Sequence, residues 1–383
     1  MTVLEELSEE AQPVLWVGSQ GGLEAGLVQR VGIPFTTIPA AGVHGVGLRA
    51  LPGNLWKLIR GTSAAYRILL DFKPDVILMT GGYVAVPLAI LSFFHLDTVR
   101  KSTAGSPKQA IRKLLIVPDI EPGWALKVLA RSVDCITLTA EDSRKYFPGR
   151  SPTLVTGFPV RTSLKKWDRN TARNLLGLKP EGPVLLVFGG SKGAQSINQA
   201  LFTNLKHLLD LCQVIHISGQ PAWSEVDAIR AELFPAQAEN YHPYPYLHEE
   251  LGAALACADL VISRAGAATL GEYPLFGLPA ILIPYPYAWQ YQKVNAEYLV
   301  RRGAAIIIQN EHLKDRLYPA VHELFADPQR LKVMSKAMQA LANPQSAARI
   351  ADQIRILAGR SKSISNQEPS SHTVSKTVSG GHL

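Results

Sequence analysis

The sequence predicts an α/β protein built as two doubly wound parallel-sheet domains that face a cleft. Three observations carry that expectation. From Gly182 onward, apolar runs of strand length alternate with amphipathic stretches of helix length, the pattern of strands joined by crossover helices. The first half repeats this alternation less regularly. Between the halves, Phe158 to Asn170 (GFPVRTSLKKWDRN with its leading Gly157) is polar and punctuated by Gly and Pro, as a joint should be.

In the second half, PVLLVF (Pro183 to Phe188) reads as a buried parallel strand, followed by a glycine turn and a helix from Ala194 to Leu211. QVIHIS, a helix from about Pro221 to Leu233, and YHPYPY continue the series. Helix His248 to Cys257 leads into DLVIS, helix Gly266 to Phe276 into PAILIP, and helix Gln290 to Arg301 into AAIIIQ. In the first half the strand candidates are VLWVG (Val14 to Gly18), PFTTIP, DVILMT, KLLIVP and CITLTA, with a long helix from Asn54 to Phe72. The expected division is an N-terminal domain over 1–158, a second domain over 159–343, a returning helix over 344–359, and a disordered Ser/Thr/Gly-rich tail over 360–383. The opening, VLEELSEEA, has helix character without a preceding strand and glycine turn. It reads as starting inside the first helix of a doubly wound domain, with roughly two dozen residues of that unit missing.

A chain of 383 residues leaves room for two cores, and 47% hydrophobic against 18% charged residues excludes a disordered protein. The three cysteines (Cys135, Cys212, Cys257) match no metal or disulfide spacing and read as buried thiols. No apolar run reaches the ~18 residues of a membrane span. The net charge of +8 is uneven: between His44 and Leu115 stand ten Lys/Arg against three acids. Such a surface suits an anionic partner, whether lipid headgroups, a pyrophosphate or nucleic acid. No basic–aromatic interleaving supports nucleic acid.

Four motifs could carry chemistry. In FGGSKGAQSIN, a strand ends in glycines and a helix begins, so Gly189, Gly190, Ser191 and Gly193 could offer backbone amides to a diphosphate at the helix start. The motif is neither a Walker A loop nor a dinucleotide fingerprint, and a plain strand–helix turn would also use these glycines. SRAGAATLGE places Glu272 about one and a half turns into a helix beginning near Ala267, where a carboxylate could accept both hydroxyls of a ribose; a surface glutamate favoured by the helix dipole is the alternative. WQYQKVNA carries Gln292 and Asn295 three apart on one helix face, suited to sugar hydroxyls or to solvent. TGGYVAVPLA supplies the first half with a glycine turn of its own, either a second anion site or a structural turn.

Taken in order, GLEAGLVQRVGIPFTTI, GGY, GFPVR, GGSKGAQSIN, SRAGAATLGE and QKVNA resemble the MurG family of GT-B-fold N-acetylglucosaminyltransferases, over about Val14 to Gly359. The resemblance implies transfer from UDP-N-acetylglucosamine to lipid I at the cytoplasmic face of the plasma membrane, giving lipid II. It implies that Gly189, Gly190, Ser191 and Gly193 bind the UDP diphosphate, with Arg161 close by. Leu247 would approach the uracil through its backbone, Glu272 would hold the ribose beside Ala267 and Thr269, and Gln292 and Asn295 would meet the sugar. Gly81, Gly82 and Tyr83 would receive the lipid pyrophosphate. The basic, apolar segment LWKLIR, with Leu55, Trp56, Lys57 and Arg60, would lie against anionic inner-leaflet lipids, or else be an ordinary amphipathic core helix. No cofactor is implied, and no DxD pair is placed to bind a metal.

The chain also departs from the family pattern. The glycine-rich loop carrying the family's presumed base histidine is absent. VPDIEPG (Val117 to Gly123) replaces the family's His-Glu-Gln-Asn stretch, Phe158 stands where Asn is common, and the stretch from Leu96 to Lys108 is long. Among residues able to stand in as base, Asp119 is preferred over Glu121 and over His44, which reads better as a loop histidine. Rival readings are a glycolipid transferase or a UDP-N-acetylglucosamine 2-epimerase of the same fold, and a homologue that binds UDP-sugar without turning it over.

Overall fold

In the computed structural model, residues 1–7, 13–19, 24–40, 51–82, 84–93, 111–149, 151–190, 193–286 and 291–359 are described. The first half comprises α1 (Thr2–Leu7), β1 (Trp16–Ser19), α2 (Glu24–Arg30), β2 (Phe35–Ile38), α3 (Leu51–Phe72), β3 (Val76–Met79), α4 (Ala85–Phe93), β4 (Arg112–Val117), α5 (Trp124–Leu129), β5 (Cys135–Leu138) and β6 (Thr153–Val155). The second half comprises α6 (Arg169–Leu175), β7 (Val184–Phe188), α7 (Gln195–Leu211), β8 (Gln213–Ile217), α8 (Trp223–Ala231), α9 (Pro235–Ala238), β9 (Tyr241–Tyr244), α10 (Leu251–Cys257), β10 (Leu260–Ser263), α11 (Thr269–Phe276), β11 (Ala280–Leu282), α12 (Tyr291–Arg301) and β12 (Ala305–Ile307). Helices α13 (Leu313–Ala326), α14 (Pro328–Gln339) and α15 (Ser346–Leu357) follow.

The second sheet is parallel throughout, in the order β12-β11-β10-β7-β8-β9. Its Val/Ile/Leu strands are buried on both faces because helices cover both: one cluster gathers Leu186, Ile215 and Val261, the other Leu185, Val187, Val214 and Ile262. Counted from β7, the order is 3-2-1-4-5-6, so the chain changes direction of travel between the paired strands β7 and β10. Such a reversal opens a crevice at the carboxyl ends of those two strands.

All five strands expected in the first half are present, and β6, too short for a periodicity signal, joins them. They do not form one sheet. β1 and β2 pair with each other, β3 to β6 form a separate four-stranded parallel sheet, and among the described residues no strand joins the two. Val17 of β1 and Ile77 of β3 nevertheless pack against one cluster, with Ala65 and Leu69 of α3 and Leu91 of α4. β3, paired on one side only, is half-buried over most of its length, while β5, paired on both sides, is buried throughout.

The chain crosses between the halves twice at one place. Gly157, just after β6, accepts a hydrogen bond through its carbonyl from Ser346 Oγ at 2.7 Å, at the start of α15. Helix α15 then returns to the first half, where Ile350 and Ala351 pack with Leu114, Ile116, Cys135 and Val3. The cysteines are buried and free; burial raises the Cys212 thiol to about 12 and Cys257 to about 11.

Beneath α7 lies a closed polar network. Asn198 Nδ2 donates to the Ser218 carbonyl at 2.8 Å, which turns Asn198 Oδ1 toward His216 Nε2 at 3.1 Å. Nε2 must therefore carry the proton, and Nδ1 accepts from the Tyr241 hydroxyl at 2.8 Å. Burial lowers the His216 pKa to about 3. An unfolded chain takes up that proton near pH 6.5, so protons favour the unfolded state and stability falls as pH drops from about 6.5 toward 3. His216→Phe is expected to cost about 1–3 kcal/mol at pH 7.5 by orphaning Tyr241 and Asn198. Because the variant lacks the titration, its deficit relative to wild type should shrink by up to about 1.4 kcal/mol per pH unit below 6.5. Urea denaturation from pH 7.5 to 5 reads both, and a deficit constant with pH would contradict the assignment.

Candidate functional site

The crevice at the β7/β10 reversal holds a cavity of about 710 Å³. Its floor is the turn after β7. A Cβ on Gly189 would lie 2.2 Å from the Ala194 nitrogen, and one on Gly193 would lie 2.3 Å from the Ser218 carbonyl oxygen. Gly190 and Gly193 have φ of +95° and +73°, and the Gly193 N–H donates to the Gly190 carbonyl at 2.9 Å. Only glycine permits this path. It delivers the 17-residue α7 with its N-terminus at the cavity, and the N-cap residue, Ala194, has no side chain to cap the first amides. Ala194, Gln195 and Ser196 line the cavity, so the positive end of α7 opens into it. Ser191 lies outside the described residues.

The opposite wall comes from the turn after β10. Helix α11 begins at Thr269, two residues later than the sequence pattern predicts, so Glu272 falls within its first turn. The carboxylate lines the cavity and has no hydrogen-bond partner among the described residues. Burial raises its pKa, and the charge of nearby Arg161 opposes that rise. Thr269 lines the same wall, its hydroxyl donating to the Gly266 carbonyl at 2.7 Å. Tyr273 is fully buried behind it, with its hydroxyl 2.5 Å from Ser263 Oγ. Gln292, on α12, closes a third side; its Oε1 accepts the Tyr285 N–H at 2.9 Å, leaving the amide N–H pair as donors.

Among the wall residues not recognised in the sequence, one ties the walls together. Arg264, the residue directly after β10, lines the cavity and donates to Ser196 Oγ at 2.7 Å, Asn310 Oδ1 at 3.0 Å and the Ile283 carbonyl at 3.2 Å. It thereby ties the start of α7 to the ends of β10 and β11 and to the segment after β12. Its guanidinium lies 5.2 Å from the centre of the Tyr285 ring. The available signal was its place: a lone arginine at the carboxyl end of a buried parallel strand, inside a run of small residues.

Other sequence candidates lie apart from the cavity walls. Arg161 reaches Glu272 electrostatically but is not a wall residue. The Leu247 side chain belongs to the core packed under β7 and β10. Ala267 sits between wall residues Gly266 and Ala268. Asn295 is expected from the sequence at the sugar; instead its side chain is fully buried at the joint of the two halves. Its Nδ2 donates to Asp119 Oδ1 at 2.8 Å and to the Ala265 carbonyl at 3.2 Å, and its Oδ1 accepts the Ile120 N–H at 3.0 Å. With both N–H bonds engaged by protein, it has no donor to offer a sugar. Asp119, the candidate base, is the other member of that contact and does not line the cavity. Burial raises its pKa, against the effect of the Asn295 hydrogen bond.

In the first half, Gly81 and Gly82 form the turn between β3 and α4, with φ of +94° and +80°. Tyr83 and His44 lie outside the described residues. On α3, Leu55, Trp56 and Ile59 are 54%, 61% and 54% exposed, beside exposed Lys57 and Arg60. This is not the core-facing helix surface that a structural reading of LWKLIR requires. Among the described residues, no helix is long and apolar enough to cross a membrane.

Two family models match the chain: the glycosyltransferase family 28 C-terminal domain over residues 184–354 and the glycosyltransferase family 28 N-terminal domain over residues 1–95. A Roseiflexus sp. (strain RS-1) protein named UDP-N-acetylglucosamine--N-acetylmuramyl-(pentapeptide) pyrophosphoryl-undecaprenol N-acetylglucosamine transferase is 35% identical over 376 residues, covering 88% of this chain and 82% of that protein. A Desulforamulus reducens protein of the same name is 36% identical over 350 residues, with 88% of each chain covered. The crystal structure of Acinetobacter baumannii MurG matches with a TM-score of 0.71 at 26% identity, covering 93% of this chain and 94% of that one. A UDP-N-acetylglucosamine 2-epimerase structure matches at 0.64 with 13% identity over 97% and 94% of the two chains, a likeness of fold alone.

The glycine turn makes a comparative prediction. Gly193→Ala combines the left-handed backbone with a collision against the Ser218 carbonyl, whereas a Cβ at Gly190 enters open space. Gly190→Ala should cost roughly 1–2 kcal/mol, the left-handed penalty alone, and Gly193→Ala more. Paired denaturant midpoints measure the order, and equal costs would refute it.

Proposed function

The chain belongs to the MurG family within glycosyltransferase family 28, and from that premise we propose that it transfers N-acetylglucosamine from UDP-N-acetylglucosamine to the muramoyl 4-hydroxyl of lipid I, with inversion at the anomeric carbon. The observation that carries this reading is the pairing, in one crevice, of an α7 N-terminus without a side-chain cap and a Glu272 carboxylate that has no hydrogen-bond partner among the described residues. A nucleoside diphosphate presents the matching groups: an anion for the amides and a ribose diol for the carboxylate. Gly189, Gly190, Ser191 and Gly193 then bind the diphosphate, Glu272 the ribose and Gln292 the sugar. In the displacement, the acceptor oxygen forms the new bond to the anomeric carbon as the bond to the β-phosphate oxygen breaks. UDP leaves with the electron pair, and the proton of the 4-hydroxyl passes to solvent. Oriented amides stabilise the charge gathering on the diphosphate, and they do so without reorganising.

The lipid-linked acceptor is assigned to the first half, with its pyrophosphate at Gly81, Gly82 and Tyr83. Helix α3 is assigned to the inner leaflet: Leu55, Trp56 and Ile59 enter the headgroup boundary while Lys57 and Arg60 meet anionic lipids. This makes the protein peripheral at the cytoplasmic face. The exposed apolar patch with flanking cations supports that placement, since a stripe of this kind on a soluble surface marks a contact site.

Two measurements test the reading. Titration calorimetry should detect UDP binding that survives excess EDTA, because the diphosphate is met by amides and arginines. Glu272→Ala should weaken that binding about tenfold or more, in line with two lost charge-assisted hydrogen bonds. A radiolabel assay with UDP-N-acetylglucosamine and lipid I should give lipid II; transfer from UDP-galactose alone, or UDP binding without transfer, would replace the proposal by one of its rivals. Separately, Trp56→Glu and Ile59→Glu should each reduce co-sedimentation with phosphatidylglycerol-containing vesicles by about tenfold, in line with the burial energy of a large apolar side chain. Unchanged sedimentation would remove α3 from the membrane contact.

A further inference from the structure

Helix α12 belongs to the second half in sequence, yet it is fastened to the first half along its whole length. At its start, Tyr291 lies over the backbone of Gly123, where a Cβ would stand 3.0 Å from the tyrosine oxygen. One turn on, the fully buried Asn295 binds Asp119 and the Ile120 N–H while also binding Ala265 of its own half. Just beyond its end, Arg302 Nη2 donates to Asp142 Oδ2 at 2.6 Å, and Arg301 lies 3.7 Å from the same carboxylate. Between these contacts, the Ile120 side chain, 1% exposed, inserts into the second-half core that contains Ala296 and Leu299.

These contacts differ in kind. The Ile120 plug is apolar and tolerates rotation, because hydrophobic burial has no direction. The Arg–Asp pairs are partly exposed and contribute little. The three bonds of Asn295 are directional, and those to the Ile120 N–H and the Ala265 carbonyl are buried, so with the Asp119 bond they hold the Asp119–Ile120 segment in one orientation against the turn after β10. Asn295 also follows Gln292 by three residues on a rigid helix, so the residue that grips the first half is coupled to a wall of the cavity.

From this arrangement we infer that Asn295 is a positioning residue that sets the closure of the first half over the donor crevice, gripping the Asp119–Ile120 segment and not the nucleotide. The inference rests on the donor-site reading above, and Asp119 is assigned to the grip as its acceptor.

The test separates the two. In the full-length protein, Asn295→Ala should leave the UDP Kd within about twofold while lowering kcat for lipid I at least tenfold. Asp119→Ala should act in the same direction, and the double variant should fall no further than the worse single variant, the sign of one shared contact. A loss of UDP affinity matching the loss of kcat would make Asn295 a ligand contact and overturn the inference, as would additive losses or an unchanged kcat. If Asn295→Ala does not fold, Asp119→Ala and Gly123→Val, which presses on Tyr291, carry the same expectation. A second readout needs no turnover: spin labels at Arg131→Cys and Lys332→Cys, with the native thiols buried, should report one narrow interdomain distance in the parent and a broadened one in Asn295→Ala or Asp119→Ala. An unchanged distribution overturns the grip even where transfer is absent, whereas failure of the parent to bind UDP strikes the donor-site reading instead.

Discussion

Every strand pair among the described residues is parallel, and that constraint places the chemistry. Parallel strands end on one edge of their sheet, and each is followed by a crossover whose helix starts on that same edge. Amide-bearing helix starts and strand-end turns therefore accumulate together. In the second half the turn after β7, the turn after β10 and the start of α12 all meet there, and the 3-2-1-4-5-6 order separates the helices after β7 and β10 enough to leave a crevice. The first half obeys the same rule with Gly81–Gly82 after β3 and Asp119 after β4.

Within that crevice, partnered and unpartnered groups are sharply divided. Arg264 is held by Ser196, Asn310 and a carbonyl through three of its five N–H groups, and it acts as a fastener for the walls while adding positive charge to the cavity. Glu272 has no such partner among the described residues, and burial raises its pKa against the opposing charge of Arg161. A ligand that offers hydroxyl donors there relieves that cost. The first amides of α7 likewise receive no side-chain cap among the described residues. The surface is thus incomplete at two points and rigid between them, which is how a pre-formed site differs from a collapsed turn.

The second half was legible because its strands are buried on both faces, so PVLLVF and DLVIS stand out as apolar runs, and because the backbone at Gly189, Gly190 and Gly193 calls for glycine. Boundaries shifted by two or three residues where a single turn precedes the helix, as at Ala267. Helix α4 gives no helical period in the sequence, since it lacks a polar face. Asn295 was misplaced for a different reason. Its spacing from Gln292 is a statement about one helix, and its partners at Asp119 and Ile120 are 175 residues away or more in sequence. Arg264 was missed because a charged residue in a small-residue turn reads as solvent-facing until the three elements it joins are known.

The two halves are unequally built. Among the described residues, the second has a continuous six-stranded sheet with a core on each face, and the first divides its strands between a pair and a foursome held over a smaller shared cluster. Local stability follows the density of buried apolar contact, so a nucleotide site that needs fixed amides belongs on the second half. Under the proposed assignment, a surface that meets both a lipid-linked acceptor and a bilayer gains from the looser one. Such a division works only if the looser half is brought to a repeatable position at the crevice. Apolar packing at Ile120 supplies attraction without orientation, and the salt links at Asp142 are too wet to supply much of either. Orientation has to come from directional bonds, and those that run from α12 to the Asp119–Ile120 segment converge on the amide of Asn295.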